Sequence, residues 1–71
     1  MEEKIKQIIS EIFEISSVSD ECSQENTESW DSLGHLRLMV ALEEEFGISI
    51  EPEENISLIS YSDIMLFIKK K

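Results

Sequence analysis

The chain contains a single cysteine, a single proline, two glycines and only six lysine or arginine side chains. The one cysteine, Cys22, cannot form a disulfide within the chain, and proteins of reducing compartments typically lack such bonds. No apolar run approaches the ~20 residues that cross a bilayer, and the first residues lack the basic and apolar regions of a signal peptide. We therefore expect a cytoplasmic protein with no membrane span.

The scarcity of cations leaves a strongly acidic chain. Sixteen Asp and Glu residues outnumber the six Lys and Arg residues, so the formal net charge is −10. Because such a surface repels phosphate groups, we expect neither nucleic acid nor anionic membrane among its partners, and a basic protein surface is the expected counterpart. Half of the cations end the chain. Lys69, Lys70 and Lys71 are predicted to cap the last helix by opposing the negative end of its dipole.

The length limits what the chain can build. Its 71 residues suffice for one small domain, predicted over residues 1–71, and 41% of them are hydrophobic. Such a chain is expected to fold as a monomer with one small core, and it is too short to enclose a deep catalytic cavity beside that core. Because it has no Gly-x-Ser-x-Gly, phosphate-loop or calcium-loop motif, neither an enzyme nor a metal protein is favoured.

Apolar residues at helical spacing predict a first helix over residues 2–15. The stripe consists of Ile5, Ile8, Ile9, Ile12 and Phe13. Residues 16–31 lose this periodicity and are rich in Ser, Asn and Asp, which predicts a long loop. The loop is expected to be anchored by its apolar residues, which pack against the helices and are Val18, Cys22 and Trp30.

Local signals at helix ends predict three further helices. Asp31 is a favoured N-cap residue and Gly47 is a favoured residue after a helix C-terminus. Pro52 suits the first turn of a short helix, and Ser60 suits the N-cap of a last helix. Helices are thus predicted over residues 32–46, 52–57 and 61–70. The predicted fold is all-α, a small four-helix bundle of three longer helices and one short helix, with a long loop between helices 1 and 2.

The helix predicted over 32–46 carries two apolar stripes on nearly opposite sides, whereas a helix in a small bundle needs only one. The stripe with the larger side chains is assigned to the core and consists of Leu38, Met39, Leu42 and Phe46. The second stripe consists of Leu33, Leu36 and Val40 and is flanked by Arg37, Glu43 and Glu44. Partly exposed apolar patches with charged rims are typical of partner-binding sites, so we predict such a site here. The alternative is that the long loop covers the second stripe.

Ser32 begins the same helix, beside the second stripe. Backbone N–H groups and the positive end of the helix dipole favour an anion at such a position, so this serine is suited to carry a phosphoester. The alternative is an ordinary first-turn serine. The only histidine, His35, is expected to be structural or at the surface rather than a base for Ser32.

The tripeptide Asp31-Ser32-Leu33, followed by a helix that ends in Leu-Glu-Glu-Glu-Phe-Gly, closely resembles the acyl carrier protein family. The length, the acidity and the order of the helices extend this resemblance over nearly the whole chain. It implies that Ser32 is esterified by 4′-phosphopantetheine, which a phosphopantetheinyl transferase takes from coenzyme A, and that Asp31 helps to position that chemistry. The thiol at the end of the arm would hold acyl groups as thioesters.

The resemblance also implies a role for the second stripe and its rim. In that role Leu33, Leu36, Val40, Glu43 and Glu44 would meet the basic, partly apolar docking sites of enzymes that load and transfer the acyl group. The protein itself would then be a carrier and not an enzyme.

Some positions differ from the carriers of fatty acid synthesis. Where those carriers usually have a Leu-Gly step, this chain has Glu28-Ser29-Trp30, and Gly34 and Arg37 occupy positions that are commonly acidic. Arg37 places a cation inside the docking face. These differences predict a stand-alone carrier of a specialised pathway for a lipid, a polyketide, or a modified sugar or amino acid. The alternatives are an aminoacyl or peptidyl carrier of the same fold and an unmodified acidic interaction module.

Overall fold

The computed structural model describes residues 2–70, and these form four α-helices. The helices are α1 (Glu2–Phe13), α2 (Ser32–Phe46), α3 (Pro52–Asn55) and α4 (Tyr61–Lys69). In this part of the chain the only extended pairing is an isolated bridge between Ser23 and Ser60. The predicted all-α bundle of three longer helices and one short helix is therefore confirmed. Lys71, one of the three lysines predicted to cap the last helix, lies outside the described residues, as does Met1.

The core lies where α1 packs against α2 and α4. Its fully buried aliphatic side chains come from all three helices and are Ile5, Ile9, Leu38, Leu42 and Ile64. Met39 is also buried, as predicted, whereas Phe46 is half-buried at the edge and packs against the same cluster. Each of the three longer helices therefore buries one stripe, as an amphipathic helix must in so small a bundle.

Three helices end earlier than their sequences predict. α1 stops at Phe13 because Glu14 has a φ of 53°, in the left-handed region, and the Ile15 N–H donates back to the Ser10 carbonyl at 3.1 Å. This is the 6→1 bond of a Schellman motif, with glutamate where glycine is usual. α3 stops at Asn55 because the N–H and hydroxyl of Ser57 both donate to one carbonyl, that of Glu54.

The last helix differs from the prediction by a single residue. α4 stops at Lys69, and the Lys70 N–H donates three residues back to the Phe67 carbonyl at 3.2 Å. Such tightened bonds commonly close the final turn of a helix. Its start is as predicted, because the Ser60 hydroxyl accepts a hydrogen bond from the Asp63 N–H at 3.1 Å.

The long loop between α1 and α2 is held by backbone bonds to the segment before α4. The Gln24 N–H donates to the Ile59 carbonyl and the Tyr61 N–H donates to the Cys22 carbonyl, each at 2.8 Å. Cys22 is buried and its Sγ lies 3.4 Å from the Thr27 hydroxyl. The predicted anchoring of the loop is confirmed, since Cys22 and Trp30 belong to the core cluster and half-buried Val18 packs against it.

Tyr61 begins α4 with a buried ring, and its hydroxyl has no hydrogen-bond partner among residues 2–70. Burial raises the pKa of Tyr61 above its ordinary value of 10.0, and the carboxylate of Glu2 adds to the rise. The ammonium group of Lys6 lies 5.1 Å from the ring centroid and 2.8 Å from a carboxylate oxygen of Asp20. The hydrogen bond to Asp20 raises the pKa of Lys6. The fold thus favours the neutral tyrosine and the charged lysine.

Replacing Tyr61 with phenylalanine is expected to raise the free energy of unfolding by about 1 kcal/mol, because a buried hydroxyl without a partner loses its bonds to water on folding. The pKa of Tyr61 in the folded protein lies above 10.0. The stability that depends on the neutral tyrosine is therefore complete below pH 10 and is lost as the pH rises through the folded-state pKa. The variant should therefore lose less stability than the wild type in alkaline solution. Urea denaturation at neutral pH and above pH 10 measures both effects. A variant that is less stable than the wild type at neutral pH would contradict this expectation.

Candidate functional site

Ser32 lies exposed at the first position of α2, where the chain leaves the long loop. The preceding residue, Asp31, caps the helix as predicted, because its side chain accepts a hydrogen bond from the Gly34 N–H at 2.8 Å. The Asp31 carbonyl also accepts from the His35 N–H at 2.7 Å. No described residue forms a hydrogen bond with the Ser32 hydroxyl, which faces solvent at the positive end of the helix dipole. A group added to the Ser32 oxygen would therefore break no hydrogen bond of that side chain.

His35 is a buried structural residue rather than a partner of Ser32. Its Nδ1 accepts a hydrogen bond from Trp30 Nε1 at 3.0 Å, so the ring proton lies on Nε2. Nε2 then donates to Asn55, whose side-chain oxygen is 2.8 Å away and whose carbonyl oxygen is 3.0 Å away. Both ring nitrogens are engaged, so His35 is not available as a base for Ser32. The same bonds connect the first turn of α2 to α3.

The second stripe of α2 is exposed, as the sequence predicts. The exposed fractions of Leu33, Leu36 and Val40 are 59%, 57% and 52%. On the opposite side of the helix, Leu38 and Leu42 are fully buried. The loop therefore leaves the second stripe uncovered. α2 presents apolar side chains to solvent directly after Ser32.

The charged rim of the stripe is less uniform than the sequence suggests. Glu43 was assigned to the rim, but it is half-buried and its carboxylate accepts the Ile50 N–H at 2.8 Å. The backbone carbonyl of Glu43 also accepts a hydrogen bond from the Gly47 N–H. Gly47 has a φ of 62°, in the left-handed region, and ends the helix as predicted. The structure thus gives Glu43 a role in holding the turn after α2. Glu44 and Arg37 are exposed.

A shallow apolar groove of about 390 Å³ runs along the exposed side of α2, between it and α1. Its lining consists of Ile12, Leu36, Arg37, Val40, Ala41 and Glu44. The groove brings together four residues of the predicted docking face, whereas Leu33 and Glu43 are not among its lining residues. Ile12 was predicted only as part of the α1 stripe, and sequence spacing gives no signal that its half-buried side chain reaches α2.

Two further residues position the site and were not predicted to do so. Gly34 lies so close to α1 that a Cβ atom there would be 2.7 Å from the Phe13 ring and 2.8 Å from the Ser29 carbonyl oxygen. Asn55 holds α3 against His35. Both contacts join residues that are distant in the sequence, which is why local patterns do not reveal them.

Comparison with known proteins identifies the family. The chain is 37% identical to an acyl carrier protein of Thermosynechococcus vestitus over 71 residues, which cover 97% of this chain and 88% of that protein. It is 36% identical to an acyl carrier protein of Nitratidesulfovibrio vulgaris over 73 residues, covering 100% of this chain and 96% of that protein. The chain belongs to the acyl carrier protein family. No family model matches this member of the family.

For this member of the acyl carrier protein family, the described residues also bear on metal binding and on membrane spanning. Among residues 2–70, no group of three or more His, Cys, Asp and Glu side chains is placed to hold a metal ion. Within the same residues, none of the helices combines the length and the apolar character needed to span a bilayer.

Proposed function

We propose that the chain carries acyl groups as thioesters on a 4′-phosphopantetheine arm attached to Ser32. The observation that carries this proposal is the exposed Ser32 hydroxyl at the start of α2, within the Asp31-Ser32-Leu33 motif of a chain that belongs to the acyl carrier family. In the attachment, the Ser32 oxygen bonds to the phosphorus of the pantetheine phosphate in coenzyme A. The bond from that phosphorus to adenosine 3′,5′-bisphosphate breaks, and the serine proton passes to the transferase.

This chain's own residues supply the position and surroundings of the arm. Asp31 fixes the start of α2 through its bond to the Gly34 N–H, and the helix dipole favours the phosphodiester at Ser32. The reactive thiol belongs to the arm and not to the protein, so the chemistry is supplied by the cofactor and by visiting enzymes. The proposed role is accordingly that of a cytoplasmic, monomeric, single-domain carrier, not of a catalyst.

The exposed face of α2 is the proposed docking site for the transferase and for the enzymes that load and use the acyl group. Leu33, Leu36 and Val40 would supply apolar contact area beside the arm, and Glu43 and Glu44 would supply negative charge for basic partner surfaces. The sequence differences at Trp30, Gly34 and Arg37 support service in a specialised pathway rather than in primary fatty acid synthesis.

Incubation with coenzyme A and a broad-specificity phosphopantetheinyl transferase tests the proposal directly. Intact-mass measurement is expected to show the addition of one phosphopantetheine to the wild type and none to the Ser32→Ala variant. Ser49→Ala is a matched control, because Ser49 is also exposed and lies after α2, and this variant should be modified like the wild type. If the wild type gains no adduct under conditions that modify a known carrier, the chain is an unmodified interaction module instead.

A further inference from the structure

The groove between α1 and α2 carries charges of opposite sign at its two ends, although the protein as a whole is strongly acidic. Arg37 and Glu44 lie seven residues apart on α2, which is about 10 Å along the helix axis. Apolar side chains line the rest of the groove. They are Ile12, Leu36, Val40 and Ala41. The groove therefore has one cation, one anion and an apolar floor.

Arg37 is unpaired because of its place in the helix. The residues three or four positions away, where a helix brings side chains together, are Leu33, Gly34, Val40 and Ala41, and none is acidic. No ion pair of Arg37 occurs within residues 2–70, whereas Lys4 pairs with Glu45 at 3.3 Å and Lys6 pairs with Asp20 at 2.8 Å. The guanidinium group of Arg37 is thus free to meet a partner.

The other acids of α2 do not offset this cation at the groove. Glu43 accepts the Ile50 N–H, and Glu45 is the ion-pair partner of Lys4. Glu44 is the acid that lines the groove. A uniformly basic docking surface would therefore bring a cation against Arg37, and like charges placed together at an interface oppose binding.

We propose that this groove selects partner proteins that present an apolar side chain between a carboxylate, which pairs with Arg37, and a cation, which pairs with Glu44. The inference rests on the proposed carrier function, because it names the chemistry of the partner at the same docking face. Arginine is suited to this role, since its planar guanidinium binds a carboxylate through two parallel hydrogen bonds. The inserted apolar side chain would cover Leu36 and Val40.

Two helical peptides test this selectivity on the full chain carrying its arm. The first peptide has a leucine face with one Glu and one Lys two turns apart, and the second is identical except that the Glu is replaced by Lys. Dissociation constants are measured at about 0.15 M ionic strength, where the Debye length is ~8 Å, from backbone amide shifts in nuclear magnetic resonance titrations. The proteins compared are the wild type, Arg37→Glu and Lys69→Glu. Both substitutions change the net charge equally, but Lys69 is an exposed residue of α4 and does not line the groove.

The mixed-charge peptide is expected to shift the amide signals of Leu36, Arg37 and Val40. In Arg37→Glu, the ratio of the two dissociation constants should change at least about threefold in favour of the all-lysine peptide, as expected for reversing one exposed pair. In Lys69→Glu, the ratio should stay within about twofold of the wild type, because Lys69 lies outside the groove and salt largely screens an exposed charge there from the bound peptide. Equal changes in the two variants, or shifts that fall outside the groove, would overturn the inference.

The proposed carrier function is tested separately in the same samples. Intact mass shows whether the arm is present on Ser32 before the titration begins. An arm without peptide selectivity contradicts only the inference about Arg37 and Glu44. A missing arm on the wild type contradicts the carrier function itself.

Discussion

Replacement of Trp30 by alanine is expected to lower the free energy of unfolding by about 3–5 kcal/mol, the usual cost of truncating a buried large aromatic side chain. The Trp30 side chain is 2% exposed and stacks on Phe13, with ring centroids 5.0 Å apart. Its loss would leave a cavity between the long loop and α1. It would also remove the donor to Nδ1 of buried His35. Because a domain of this size has only a few kcal/mol of net stability, the variant should be largely unfolded.

Urea denaturation followed by the helical circular dichroism signal measures this effect. Trp30→Phe is the matched control, because it keeps a ring against Phe13 while it removes the hydrogen bond to His35 and only part of the buried volume. The control should lose about 1–3 kcal/mol, which is the cost of leaving a buried polar atom unpaired. If Trp30→Ala unfolds within 1 kcal/mol of the wild type, roughly the scale of a surface substitution, Trp30 does not hold the loop against the bundle.

Replacement of Gly34 by alanine is expected to destabilise the fold by about 1–3 kcal/mol, in the range of overpacked cores. This loss of stability would be opposite in sign to the effect of helix propensity, which favours alanine over glycine inside a helix by about 1 kcal/mol. The new Cβ would lie 2.7 Å from a carbon of the Phe13 ring and 2.8 Å from the Ser29 carbonyl oxygen. The second neighbour is backbone, so relief requires movement of the loop next to Trp30.

Thermal unfolding of Gly34→Ala in two backgrounds separates packing from propensity. In a Phe13→Leu background the ring is absent, so the cost of adding the methyl group at Gly34 should shrink, which a double-mutant cycle detects. A Gly34→Ala protein that is more stable than the wild type would show that propensity exceeds the clash. The same crowding disfavours any larger side chain at this position.

The parts of the fold that follow from local chemistry could be predicted from the sequence. α2 begins and ends where predicted, because Asp31 caps its first turn and Gly47 adopts the left-handed conformation that closes its last turn. The exposure of Leu36 and Val40 also followed from the sequence, since one helix in a small bundle can bury only one of two opposite stripes.

The parts that depend on contacts between distant residues could not be predicted in the same way. The bond from His35 to Asn55 spans 20 residues, and the proximity of Gly34 to Phe13 is equally invisible to periodicity. Glu14 ends α1 in a conformation usually reserved for glycine, so the residue type gave no signal. The engagement of Glu43 with Ile50 likewise depends on how the chain turns after α2.

The fluorescence of Trp30 can report on the structure around the start of α2. Trp30 is the single tryptophan of the chain, it lies two residues before Ser32, and its indole N–H is bonded to the histidine that joins α2 to α3. An indole shielded from water emits fluorescence at shorter wavelength than one in water. Any event that separates these helices and exposes Trp30 would therefore shift the emission to longer wavelength. If Ser32 carries the proposed arm, any loading or docking step that separates these helices could be followed on the unlabelled protein, with the signal arising two residues from the proposed attachment point.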